Sequence, residues 1–324
     1  MVFHRQVEKF DIQQLIPKSW FNNLNASSVW LSGHKMFRLT MQDFILGPKI
    51  IDLDNARAIM TYGKVSYLDS ASATPESTDD GKFTFNTSGL EKITNPGPHL
   101  ILILPFDKDG TEGNERNTRD RINDIVGLLV AFNDQNIAFE RIFDYVINLD
   151  GKEKSVIGEV LTNPMGMPKP NINNDQLLRI QNADQKIGSL EPSTQNRIRL
   201  SLRWFEAARH DDDVDAFLKY WIAIETLAMP DTNNIKPITS LLSEIYGLTT
   251  EKTGEIFHIG RIFNARGKIV HDGEQFRVSV SLILFMQAIY VDIFFKILGL
   301  PSEKRALTLI ENKEFNLKRM LLNI

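Results

Sequence analysis

The stretch Arg266-Gly-Lys-Ile-Val-His271 places a permanently charged guanidinium five residues before an imidazole, and Glu225 supplies a carboxylate upstream. A histidine exchanges protons near neutral pH, an arginine grips phosphate oxygens through parallel donors, and a carboxylate can orient that arginine. These groups suit proton transfer beside a phosphate, so Arg266, His271 and Glu225 are the candidate catalytic residues. The spacing sets a condition. In an unbroken α-helix five residues turn about 500°, leaving Arg266 and His271 about 140° apart. Both reach one substrate only if the helix breaks, which Gly267 permits, or if two subunits combine.

The elements that must position these residues are helices. Over residues 214–229, Phe217, Leu218, Trp221, Ile222 and Ala228 form an apolar stripe that passes through Glu225 at i+4 from Trp221. A carboxylate aimed inward needs a cationic or donor partner, because burying it alone costs several kcal/mol. From residue 250 onward, Ile256, Ile259 and Phe263 continue one helix face to Arg266, which is therefore the expected partner of Glu225. Ile198, Leu202 and Phe205 mark a helix before these two, with Arg197, Arg199, Arg203 and Arg209 around its remainder. Residues 278–300 are apolar nearly all round but carry Gln287, Asp292 and Lys296, each expensive in lipid, so this segment reads as a buried helix.

The first half is punctuated differently. Short β-like runs recur at residues 28–31, 58–68, 82–86, 100–105 and 139–149, with one amphipathic helix at residues 114–133 that is expected to pack on the sheet. Residues 163–174 hold three prolines in seven positions, which excludes helix and marks a connector, followed by a short helix at residues 176–186. The division is thus a mixed α/β domain over residues 1–170 and a helical domain over residues 171–324. At 324 residues and 42% hydrophobic content the chain can bury two cores. Its formal net charge of -4 means that any nucleic-acid contact must come from a local basic face. There is no cysteine, which excludes disulfides, thiolate metal sites and cysteine nucleophiles and fits a reducing cytoplasm. Residues 1–17 lack the apolar run of a cleaved signal.

The pairing of Arg266-Gly-Lys-Ile-Val-His271 with the acidic helix Trp221-Ile-Ala-Ile-Glu225-Thr-Leu resembles the HEPN superfamily, whose signature is R-x4-6-H, and in particular its ApeA-like branch. The resemblance covers about 130 residues of the C-terminal part and says nothing of the first 170. It implies an all-α HEPN-like helical bundle, which with the mixed α/β first half makes the expected fold class α+β. It further implies a hydrolase: a metal-independent ribonuclease and toxin of anti-phage defence, homodimeric through the helical domain, with both motifs lining one cleft. RNA carries its own nucleophile in the 2′-hydroxyl, so neither cofactor nor metal is called for, and the expected products end in 2′,3′-cyclic phosphate and 5′-hydroxyl. Two departures stand out. Many active members carry a polar residue where this chain has Gly267, and the R-x4-H-x-Y form is absent because Asp272 and Gly273 follow His271. The competing reading is a non-catalytic module that binds RNA or a protein partner through the same cleft.

Other residues read more plainly. His210-Asp-Asp-Asp213 is expected to cap a helix rather than hold a metal, because adjacent residues do not converge on one ion. Asp107-Lys-Asp-Gly-Thr-Glu-Gly113 lacks the acidic spacing of a calcium loop and reads as a surface turn. His258 reads as structural, and His4, His34 and His99 join no constellation. The phosphate-binding G-x4-G-K-[ST], H-E-x-x-H and G-x-S-x-G motifs are missing.

Overall fold

The computed structural model describes residues 28–37, 39, 44, 48–68, 74–77, 83–86, 91–106, 112–133, 138–148, 154–157, 174–211, 213–230, 232–272, 278–312 and 315–321. The fold is α+β: strands and one long helix come first, then helices. The described residues form two compact units, Met1–Ile122 with Phe132–Asp184, and Asn123–Ala131 with Gln185–Ile324. Residues 1–27, 107–111 of the expected surface turn, 163–173 of the proline-rich connector, and Asp212 lie outside the described residues.

The first unit holds a six-stranded antiparallel sheet built from β1 (Ser28–Phe37), β2 (Lys49–Leu53), β3 (Ala56–Gly63), β8 (Gly97–Phe106), β9 (Ala138–Asn148) and β10 (Lys154–Ile157), in the order β10-β9-β1-β8-β3-β2. Two short ribbons pair β4 (Ser66–Leu68) with β7 (Glu91–Ile93) and β5 (Thr74–Ser77) with β6 (Phe83–Asn86). The central strands are buried on both faces. Trp30 and Leu31 point oppositely yet are each 0% exposed, and Leu100, Ile101, Leu102 and Ile103 form an unbroken buried run.

Helix α1 (Glu112–Phe132) contributes to both units, and in the first its Arg119 guanidinium lies 5.8 Å from the Trp30 ring centroid. Arg121 donates to both carboxylate oxygens of Asp184, at 2.8 and 2.9 Å, and to the carbonyl of Asp54, whose amide donates to Asp184 at 2.6 Å. This ties α2 (Asn174–Gly188) to the tight turn between β2 and β3, where Asn55 adopts a positive φ of 51°. The stretch around Asp184 therefore groups with the sheet rather than with the helices that follow it.

The second unit assembles α3 (Pro192–Ala207), α4 (Asp213–Ala228), α5 (Lys236–Tyr246), α6 (Thr250–Phe257), α7 (Ile259–Gly267), α8 (Val280–Ile297), α9 (Arg305–Glu311) and α10 (Leu317–Met320). Residues of α1 belong here too. Gly127 approaches α3 so closely that an added Cβ would lie 2.6 Å from the carbonyl oxygen of Leu202, and Arg203 pairs with buried Asp124 at 2.8 Å. Among the described residues α8 is the one helix long and apolar enough to cross a membrane, and it is spent on the core: every residue from Phe285 to Phe295 is buried. This burial agrees with the reading of residues 278–300 as a buried helix.

Several of its polar groups meet partners on neighbouring helices, while Gln287 Oε1 is buried without a hydrogen-bond partner among the described residues. Gln287 donates to the Tyr220 hydroxyl, and the Tyr290 hydroxyl lies 3.0 Å from Ser201 Oγ. Asp292 accepts from the Tyr246 hydroxyl and from the backbone amides of Arg305 and Ala306 at 3.0 and 2.9 Å. Asp292 thereby satisfies free amides at the start of α9.

Two outcomes follow. Gly127→Ala forces α1 from α3 and should lower the unfolding free energy by roughly 1–3 kcal/mol in denaturant titration. His99, on β8 and 2% exposed, has its pKa lowered to about 4 by burial, which outweighs a backbone contact with Gly97 that raises it; Lys35 also lowers it. The unfolded chain takes up a proton near pH 6.5 that the folded chain refuses until about pH 4, so stability falls as pH falls through that window. Between pH 7 and pH 4.5 the wild type should lose about 2–3 kcal/mol more than His99→Leu in paired denaturation curves.

Candidate functional site

Glu225 sits in the last turn of α4, and Arg266 in the last turn of α7. Their nearest atoms, Arg266 Nη2 and Glu225 Oε2, are 3.7 Å apart. The two residues singled out as partners therefore meet, but as an ion pair without hydrogen-bond geometry. Both side chains keep about a quarter of their surface, 27% for Arg266 and 23% for Glu225, so the expectation of an interior pair is corrected to one at the margin of the helical unit. A pair this exposed contributes at most about 1 kcal/mol, so packing rather than ionic attraction must set its position.

That packing is visible one turn earlier. Trp221 precedes Glu225 by four residues and Phe263 precedes Arg266 by three, and their ring centroids lie 6.0 Å apart at 52°. Trp221 is 1% exposed, whereas Phe263 is half-buried. Two consecutive rungs, one aromatic and one ionic, thus join α4 to α7 running in the same direction.

The stripe expected along one continuous helix from residue 250 is interrupted. His258 adopts φ 50° and ψ 33°, closing α6 and opening α7, and its amide bonds to the Gly254 carbonyl at 3.1 Å. The break resets the phase: Phe257, Ile259, Ile262 and Ala265 become the buried positions, while Ile256 and Phe263 move to the edge. His258 acts structurally here. Burial lowers its pKa, and Arg261 and then Lys318 lower it further, so the local field around it is positive.

After Gly267 the helix does not stop but widens into a π turn, Lys268–Asp272. Such a turn bonds i to i+5 and holds roughly 4.4 residues per turn, so five residues bring the chain a little more than once around. In ideal geometry residues five apart stand about 140° apart in an α-helix and about 50° apart in a π helix, so the angle from Arg266 to His271 narrows. A distortion, rather than a break, narrows the gap between them. His271 is exposed. Every residue has a neighbour five positions on, so the spacing itself held no signal of the π turn.

Nearby acidic residues do other work. Asp213, with φ 49°, accepts from the Val278 amide at 2.5 Å, and Asp211 pairs with Lys219. His210 Nε2 lies 2.5 Å from Glu206. The Asp213 carboxylate thus anchors the entry to α8, while Asp212, directly before α4, lies outside the described residues. Among the described residues no group of three or more potential ligands is placed to hold a metal ion. His34 bonds to Ser32 at 2.9 Å within the sheet unit, apart from the Arg266 and His271 pair.

Gly267 has negative φ, and an added Cβ there would meet nothing within 4 Å. Gly267→Ala should thus keep the fold and raise stability by about 0.5–1 kcal/mol, read as a higher denaturation midpoint; a loss of stability would show that the π turn requires glycine.

The chain matches no protein-family model, no curated protein and no solved structure.

Proposed function

We propose that the helical unit is a metal-independent endoribonuclease whose working groups are Arg266, His271 and Glu225. The observation that carries the reading is Arg266 at the end of α7 with His271 five residues on, in the π turn that follows, and a carboxylate 3.7 Å from the guanidinium. The resemblance of Arg266-Gly-Lys-Ile-Val-His271 and the Glu225 helix to the HEPN superfamily, ApeA-like branch, supports it. So does local charge: residues 259–272 carry Arg261, Arg266 and Lys268 against one carboxylate, Asp272, on a chain whose net charge is -4.

Cleavage of RNA joins the 2′-oxygen to phosphorus as the bond from phosphorus to the 5′-oxygen breaks. A base must accept the 2′-hydroxyl proton and an acid must supply one to the leaving 5′-oxygen. In this reading His271 moves these protons, Arg266 neutralises the non-bridging oxygens of the crowded phosphorane, and Glu225 limits where Arg266 can point. Two copies combining their motifs in a homodimer would supply base and acid together. DNA lacks the 2′-hydroxyl and resists. An uncontrolled ribonuclease harms its host, so we assign the sheet unit a sensing or restraining role, consistent with anti-phage defence in the cytoplasm. A second reading, a non-catalytic module binding RNA or protein, draws on Gly267, where active relatives of the resembled family often carry a polar residue.

The test is end-labelled RNA in excess EDTA with wild-type, Arg266→Ala and His271→Ala proteins, with the product ends mapped. Cleavage by wild type to cyclic-phosphate ends, reduced about 10²- to 10⁴-fold in His271→Ala and strongly in Arg266→Ala, is expected. Equal cleavage by all three would remove the assignment, and RNA binding without cleavage would favour the second reading.

A further inference from the structure

The rungs between α4 and α7 leave an aromatic ring beside the guanidinium. Phe263 stands three residues before Arg266, about 4.5 Å along the helix axis and about 60° around it. Its ring is backed by the buried Trp221 indole at 6.0 Å yet remains half-buried, while Trp221 is 1% exposed. Gly260 and Gly267 both fall within about 60° of Phe263 around the axis. Among the described residues, a Cβ at Gly267 would touch nothing within 4 Å, and at Gly260 it would meet Ile235 Cδ1 at 3.8 Å. The ring therefore rests against Trp221, with the two glycines on one flank and Ile259 and Arg266 on the other.

We propose that Phe263 is the stacking platform for the nucleobase attached to the phosphate held by Arg266, which makes unpaired RNA the substrate class. This rests on the reading of Arg266 as a phosphate-binding group. Within one nucleotide, base and phosphate are separated by the sugar alone, a span that matches neighbouring side chains on one helical turn. Base stacking on an aromatic ring needs an exposed π face, which duplex bases do not offer and single-stranded bases do. The platform tolerates any base, so it selects strandedness more than sequence. Phe263 is a binding and positioning residue, while His271 carries the proton transfers.

The experiment uses the full chain and a short single-stranded RNA with 2′-O-methyl riboses, which cannot be cleaved, carrying one 2-aminopurine. Anisotropy reads binding and 2-aminopurine quenching reads stacking. Wild type and Phe263→Trp should bind and quench. Phe263→Leu should bind about 10-fold or more weakly and lose the quenching, with its circular dichroism unchanged. An RNA abasic at that position should erase the difference between wild type and Phe263→Leu. Binding without quenching in wild type, or equal quenching in Phe263→Leu, overturns the platform while leaving an RNA-binding site. No RNA binding by wild type overturns both the platform and the functional reading beneath it.

Discussion

Gln287, Tyr290 and Asp292 lie within six residues of one another on a helix buried along most of its length, and each meets a partner from a different neighbour. A buried polar group without a partner costs about 1–3 kcal/mol, so these contacts act as a register that admits one arrangement of α3, α4 and α5 around α8. Burial holds the Tyr220 hydroxyl protonated, with its pKa pushed up to about 12, and raises Tyr290 in the same direction. The aromatic packing follows this register. Phe205 stacks on Tyr290 at 4.2 Å, and Tyr246 stacks on Phe257 at 4.7 Å.

The position of Glu225 is a consequence of that register. Tyr220 fixes α4 against α8, Trp221 next to it turns toward α7, and one turn later Glu225 arrives at the edge where α7 ends. The ion pair with Arg266 is too exposed and too long to hold the helices together, so it reports their positions rather than causing them. The π turn adds the last adjustment. One bonded position wider than an α-helix, it lets residues five apart approach the same side, and such turns are frequent at functional sites.

The sheet unit relies on a different constraint. Where β1 and β8 are buried on both faces, a polar side chain is costly unless it is answered inside the sheet. Ser32 and His34 bond to each other, and Asp144, directly opposite Ser32 in the register with β9, pairs with Arg141 at 3.3 Å. Burial raises the pKa of Asp144 against the pull of Arg141, Ser32, Trp30 and Arg119. Arg121 and Asp184 then fasten α2 to the β2–β3 turn at its back.

Periodicity alone determined much of the architecture, because side-chain pattern follows element type. The alternating runs became β1, β3, β8 and β9, the stripe through Trp221 became α4, and the apolar run with Asp292 became the buried α8. The pairing of Glu225 with Arg266 was legible for the same reason, since two stripes carrying opposite charges inward have few ways to satisfy them. Strands β2, β5, β7 and β10 were not legible, because three to five residues give too little pattern to stand out from turns. Tertiary structure alone decided the left-handed His258, which resets the phase of α7, and the π turn, which narrows the angle from Arg266 to His271. Both depend on how α6, α7 and α8 must join around a shared core, a closure condition between distant segments that no local pattern of residues encodes.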